Sequence, residues 1–125
     1  IPYSPLGAGL LTGKYGVSRR PEGGRLTESE TYTKRYAEGW QYETADRFTA
    51  FARERGFEPA ALAVRWVANH PAVTSAIIGA RTLAQLEGSL KMVDINMTPE
   101  LRAEISALSP APALATDRSE EQAVS

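Results

Sequence analysis

Apolar positions along the chain recur in two registers. Over residues 42–55, Ala45, Phe48, Phe51 and Ala52 fall at helical spacing, and Gly56 stops the predicted helix as a C-cap. Pro59 opens a second helix reaching residue 69, with Leu62, Ala63, Trp66 and Val67 on its inner face. Thr82 with Gln85 forms a capping box that begins a helix over 82–93, placing Leu83, Leu86 and Leu90 inward. Thr98-Pro99-Glu100 starts a last helix, with Leu101, Ile105 and Leu108 inward. A shorter helix over 28–37 is predicted from the Thr27/Glu30 pair.

The other register is extended. Residues 1–4 have the pattern of a strand end, and residues 73–78 form a short β-branched run suited to a buried strand. Residues 5–9 are a turn-forming loop, followed by one helical turn at Leu10, Leu11 and Thr12. Residues 16–26 are polar and Gly-rich, a loop long enough to suggest function. Residues 79–81 make a tight turn. Strands alternating with helices predict an α/β class with a parallel sheet over residues 1–109. Residues 110–125 are Ala, Pro, Ser and acidic residues without periodicity, which predicts a disordered tail. The sequence opens on Ile1 with the pattern of a strand end, so the chain is expected to be a fragment.

Composition narrows the chemistry. The 125 residues carry a formal net charge of −1, which gives no electrostatic reason to expect a nucleic-acid or membrane-surface partner. No apolar run approaches the length of a membrane span, and no secretory signal pattern stands out, so a cytoplasmic location is expected. The absence of Cys excludes disulfides, zinc ribbons and thiol catalysis, and one His excludes a multi-histidine metal site.

Two segments carry candidate chemistry. In the first, Tyr3-Ser4-Pro5-Leu6-Gly7-Ala8 leads through Gly13 to Lys14 and Tyr15. It delivers a ring and a hydroxyl to the C-terminal end of a strand, where ligands bind in α/β folds, and then a cation. In the second, Ile77-Ile78-Gly79-Ala80-Arg81-Thr82 runs into a capped helix whose free N–H groups favour an anion. Arg81 offers a planar fork suited to phosphate, and Gln85 lies one turn further on. Pattern alone leaves alternatives open. The first segment reads more readily as a structural turn with a core tyrosine, and the second equally as an ordinary strand–helix junction with a solvated arginine.

Together the motifs Tyr-Ser-Pro-Leu-x-x-Gly-x-Leu-Thr-Gly-Lys-Tyr and Ile-Ile-Gly-Ala-Arg-Thr-x-x-Gln-Leu-Glu change the picture. In this order and spacing they resemble the aldo-keto reductase superfamily over residues 1–108, most of all its bacterial and potassium-channel-β-subunit-like branch. The resemblance implies a (β/α)8 barrel, typically about 250 residues. This chain would be its C-terminal portion, the last two strand–helix units with an extension. It further implies NADPH as cofactor. Tyr3 would stack on the nicotinamide, and Ser4, Pro5, Leu6, Gly7 and Ala8 would wrap the pyrophosphate and ribose beside Lys14. Arg25 would clamp the cofactor. Gly79, Arg81, Gln85 and Ser89 would hold the adenosine end, with Arg81 placed for the 2′-phosphate.

One departure weakens the match, because the family commonly has an acidic residue and Asn where this chain has Gly88 and Ser89. The family's catalytic Asp, Tyr, Lys and His would lie upstream, so no catalytic residue is assigned here. Tyr15, Tyr32, Tyr36 and His70 are not candidates for those roles, and Trp40 and Tyr42 are expected to pack. No metal site is expected. The implied function is NADPH-dependent reduction of an aldehyde or ketone, a small-molecule carbonyl substrate, by the complete protein. The alternatives are a redox-sensing or regulatory NADPH-binding subunit, or an inactive truncated product.

Overall fold

The computed structural model describes residues 1–111. Its largest element, α3 (Gly39–Glu54), starts three residues before the predicted 42 because Gln41 Oε1 accepts from the Glu38 N–H and closes the first turn. Gly56, at φ 75°, ends the segment as expected. The next helix, α4 (Pro59–Ala68), begins with Pro59 in the first turn, where a missing N–H costs nothing. Phe48 and Ala52 of α3 pack against Ala61, Leu62 and Ala63 of α4. Across them lies α6 (Pro99–Ser106), which contributes Leu101 and Ile105, with Ile95 and Met97 preceding it. Thr98 Oγ1 caps α6 by accepting from the Leu101 N–H at 3.1 Å.

A second, smaller cluster gathers Leu10, Tyr15, Leu26, Tyr42 and Ala45. It attaches the N-terminal segment and the long loop to the outer end of α3. Leu10 sits in a 3-10 segment, Gly7–Thr12, which breaks at Ala8 and Gly9. Leu26 sits in α1 (Arg25–Glu28), and α2 (Glu30–Arg35) follows.

The predicted helix over 28–37 is therefore two short helices. Thr27 does not cap it as expected. It lies inside α1, and its Oγ1 accepts from the Gly24 N–H at 3.2 Å, while an extended Ser29 (φ −105°, ψ 115°) breaks the run.

The extended segments also depart from expectation. Among the described residues there is no β-ladder, only two isolated bridges: an antiparallel one within the long loop, Gly16–Arg19, and a parallel one between Tyr3 and Ile77, with Ile77 N–H donating to Pro2 O at 2.9 Å. The 73–78 run is not a buried strand, since Ile77 is 55% exposed. A buried strand needs neighbours on both edges and both faces. The described residues supply one edge. The same shortage leaves Leu83 and Leu90 of α5 (Leu83–Leu90) exposed, although their spacing predicted an inward face. The helix expected to run to residue 93 tightens into a 3-10 turn, Lys91–Asp94.

Leu108 is half-buried against the first core, as its position in the last helix pattern suggested. Trp66 is half-buried too. Its indole N–H donates to Ser106 Oγ at 3.2 Å, and the Arg102 guanidinium lies 4.7 Å from its ring centroid. Tyr42 is buried, whereas Trp40 is partly exposed. His70 is exposed, and its Nδ1 accepts from the Ala72 N–H at 3.1 Å in the turn after α4. Most of the predicted tail, residues 112–125, lies outside the described residues.

Candidate functional site

The Tyr3–Ile77 bridge is what assembles the site. Because the two segments run parallel, the chain leaves both at the same end, and both loops open on the same side. After Tyr3 the backbone coils tightly. Gly7 N–H donates to Ser4 O at 2.9 Å, Gly9 N–H to Leu6 O at 3.1 Å, and Thr12 Oγ1 to Gly9 O at 2.7 Å. Ser4 (φ 54°) and Ala8 (φ 56°) are held left-handed without being glycine. Such residues cost on the order of 1–3 kcal/mol each and persist where the surroundings over-determine them, often at ligand sites.

After Ile77 the chain turns into α5. Thr82 Oγ1 accepts from the Gln85 N–H at 3.2 Å, as the capping box predicted. Gln85 Oε1 in turn accepts from the Arg81 N–H at 2.9 Å, one residue earlier than the usual reciprocal bond. Gln85 thus holds the backbone of the arginine beside it, leaving its amide NH2 to point elsewhere. The guanidinium of Arg81 is exposed.

Between the two loops lies a cavity of about 660 Å³. Tyr3, Ser4, Pro5, Leu6, Ala8, Lys14, Arg25, Gly79, Arg81, Gln85 and Ser89 all line it. Gly7 does not. A side chain at that position would face Leu10 and Tyr36, at 3.5 and 3.6 Å. Lys14, Arg25 and Arg81 converge on the cavity, and none of them forms an ion pair among the described residues. Two carboxylates, Glu22 and Glu58, share the wall. The net field of the lining is cationic, suited to an anionic ligand. Ser89 is buried, with its residue in the lining, and Gly88 beside it leaves open space where a side chain would stand.

Residues 21–25 form a further part of the cavity lining. Tyr15 backs them. It is buried, and its hydroxyl packs against the α-carbon of Gly24. Sequence reasoning missed several lining residues, among them Thr12, Tyr15, Gly24, Glu58 and Ala60. Glu58 and Ala60 flank Pro59, and that helix-start signal says where α4 begins but not what it faces. Only the packing of α4 beside the 3-10 segment brings them to the cavity. Among the described residues no group of three His, Asp or Glu side chains could hold a metal, and no helix is long and apolar enough to cross a membrane.

Comparison with known proteins gives this geometry a family. The Aldo/keto reductase family model matches residues 1–110. The chain is 34% identical over 108 residues to Protein tas of Escherichia coli, covering 86% of this chain and 31% of that protein. It is 29% identical over 112 residues to the oxidoreductase YrpG of Bacillus subtilis, covering 90% of this chain and 32% of that one. A Schizosaccharomyces pombe protein named for a voltage-gated potassium channel subunit beta is 33% identical over 114 residues, covering 85% and 32%. The chain thus spans about a third of the length of these relatives. Its family is one of (β/α)8 barrels and of oxidoreductases in general. With a model matching nearly all the described residues, the chain belongs to the aldo/keto reductase family.

Proposed function

We propose that this chain supplies the NADPH-binding portion of a cytoplasmic reductase that converts aldehydes or ketones to alcohols. In that reading it is the C-terminal part of a (β/α)8 barrel, and the catalytic acid and its partners stand on other segments of the complete protein. The observation that carries the reading is the convergence of Lys14, Arg25 and Arg81 on one cavity between the two loops. A dinucleotide phosphate brings several negative charges into a space of this size, and pockets of about 300–1,000 Å³ are typical for such ligands.

The residues fit the group in chemistry as well as in number. Tyr3 presents a ring that is 73% exposed, with room for a planar partner. Ala8 and Gly9, both in left-handed backbone, line the cavity with little side chain. Arg81 stands at the entrance to capped helix α5, its backbone fixed by Gln85 and its fork free to bind a phosphate bidentately. Gly88 and Ser89 leave the adenosine end with fewer side-chain partners than an acidic residue and Asn would give.

When bound, NADPH supplies a hydride to the carbonyl carbon of the substrate. This chain's own contribution is to hold and orient that donor. Tyr3 would support one face of the reacting ring, the three cations would neutralise phosphate charge, and residues 21–25 line one side of the cavity. The relative named for a potassium channel subunit beta makes a regulatory, redox-sensing NADPH-binding subunit the second reading.

One experiment separates these readings. The complete protein is titrated with NADPH by nucleotide fluorescence, then assayed for NADPH oxidation against a panel of aldehydes and ketones. Binding with turnover supports the reductase. Binding without turnover on any carbonyl favours the regulatory subunit, and no binding of NADPH refutes both.

A further inference from the structure

One carboxylate outside the cavity gathers an unusual share of contacts. Asp46, in the middle of α3, does not line the pocket. Its Oδ1 accepts from Arg19 Nη2 at 2.7 Å, and its Oδ2 accepts from the Val17 backbone N–H at 2.9 Å. Gly16 lies so close that a Cβ there would stand 2.1 Å from Asp46 Oδ1. Both carboxylate oxygens are therefore committed to residues 16–19. The next residue is fastened to the same helix differently. Arg20 stacks over the Tyr42 ring at 3.2 Å from its centroid and donates to Gly16 O.

These fastenings bear on one stretch of chain. The loop is pinned to α3 at residues 16–20, and the five residues that follow form a wall of the cavity, ending in Arg25. Gly16 and Arg19 also pair with each other through backbone bonds of 3.0 and 3.3 Å, so the pinned part is a closed turn. Gly23, at φ 77°, then redirects the chain into α1. Residues 21–25 bury no apolar side chain of their own; Tyr15 backs them at Gly24, and polar contacts hold their near end at residues 16–20.

We propose that Asp46 is a positioning residue that latches this loop and thereby sets how fast the dinucleotide leaves the cavity. The proposal rests on the reading of the cavity as an NADPH site. A ligand seated against residues 21–25 leaves faster when that wall moves. The wall moves more freely when its near end comes off α3. Arg19 and Asp46 are each about half exposed, so the ion pair alone is a weak fastening. The two bonds to one carboxylate and the Arg20–Tyr42 stack act together on the same turn. Losing the carboxylate should release the turn as a unit, with a larger effect than a lone surface pair gives.

The test is stopped-flow release of NADPH from the complete protein, chased with excess NADP+, beside the thermal midpoint of each unliganded variant. Asp46→Ala should speed release by about tenfold, and Asp46→Asn by less, because an amide oxygen still accepts from Val17. Arg19→Ala should speed release only severalfold, and adding it to Asp46→Ala should change nothing further. Trypsin cleavage after Arg19 should accelerate in Asp46→Ala and, by less, in Asp46→Asn, the two variants that keep that site. Unchanged release in Asp46→Ala with a lowered midpoint would make Asp46 merely structural and overturn the latch. So would full additivity of the two variants. If Asp46→Ala does not fold, Asp46→Asn and Arg19→Ala carry the same test. Wild-type protein that shows no NADPH signal refutes the cofactor reading itself, a result distinct from wild-type binding with unaltered variants.

Discussion

The α-carbon of Gly24 rests on the hydroxyl of Tyr15, so that a Cβ added there would lie 1.7 Å from Tyr15 Oη and 2.9 Å from Cζ. Tyr15 is 3% exposed and belongs to the cluster with Leu10, Leu26, Tyr42 and Ala45. It has no free direction in which to retreat. Gly24→Ala should therefore shift both the ring and the cavity wall, lowering stability by about 1–3 kcal/mol, as overpacking does. Denaturant unfolding and an NADPH titration of the complete protein should both move. A variant unchanged in both would contradict this close approach.

Arg81 stands at the mouth of α5 with its backbone held by Gln85, and in the proposed reading it meets the 2′-phosphate. Arg81→Ala should raise the NADPH dissociation constant by roughly 10- to 150-fold, the loss of a charge-assisted contact of about 1.5–3 kcal/mol. The constant for NADH should barely change. Equal losses for the two cofactors would show that Arg81 does not read the 2′-phosphate.

Gln85 combines a structural bond with a proposed ligand contact, and a nearly isosteric change separates them. Gln85→Glu keeps an oxygen to accept from the Arg81 N–H and places a negative charge near the helix N-terminus, which favours the helix. Stability should stay within about 0.5 kcal/mol of the parent. NADPH binding should weaken, because the amide donors are gone and a carboxylate faces the phosphate side. Circular dichroism melts and nucleotide fluorescence give the two readings, and undiminished binding would remove Gln85 from the site.

Leu62 is fully buried between α3, α4 and α6. Leu62→Ala should cost about 2–5 kcal/mol through lost transfer energy and the cavity left behind. Urea unfolding of the complete protein should show a lower midpoint with an unchanged slope. A loss below 1 kcal/mol would mean that the three helices close over the gap.

The 125-residue chain alone leaves Tyr3, Ile77, Leu83 and Val93 between 55% and 73% exposed. Paired strand edges and covered apolar faces are what make an α/β unit stable. Expressed by itself, the chain should bind a hydrophobic dye and melt without a cooperative transition. A sharp, reversible thermal transition would show that this face needs no partner.

The helices were legible because their signals are local. Pro59 and Thr98 mark helix starts, Gly56 marks a stop, and each acts through the backbone of a few residues around it. The site was legible for a different reason. The Tyr3–Ala8 and Gly79–Arg81 segments meet at one cavity and carry side chains whose chemistry suits a nucleotide, and the family resemblance implies NADPH. What pattern could not supply was Asp46. An exposed acid in mid-helix looks like solvated surface, and only the contact with residues 16–19 gives it a task.

The sequence by itself determined the boundaries of the four longer helices to within a few residues, the family, and the two segments that meet at the cavity. It erred where a pattern depends on partners. The spacing of Leu83, Leu86 and Leu90 specifies an apolar face, but burial requires something to pack on it, and Leu83 stays exposed. The run at 73–78 has strand chemistry, yet a strand exists only through hydrogen bonds to its neighbours, and here one bridge forms. The tertiary structure decided that bridge, and with it the convergence of Lys14, Arg25 and Arg81. Contacts between residues distant in sequence depend on the packing of whole elements, which no local pattern encodes.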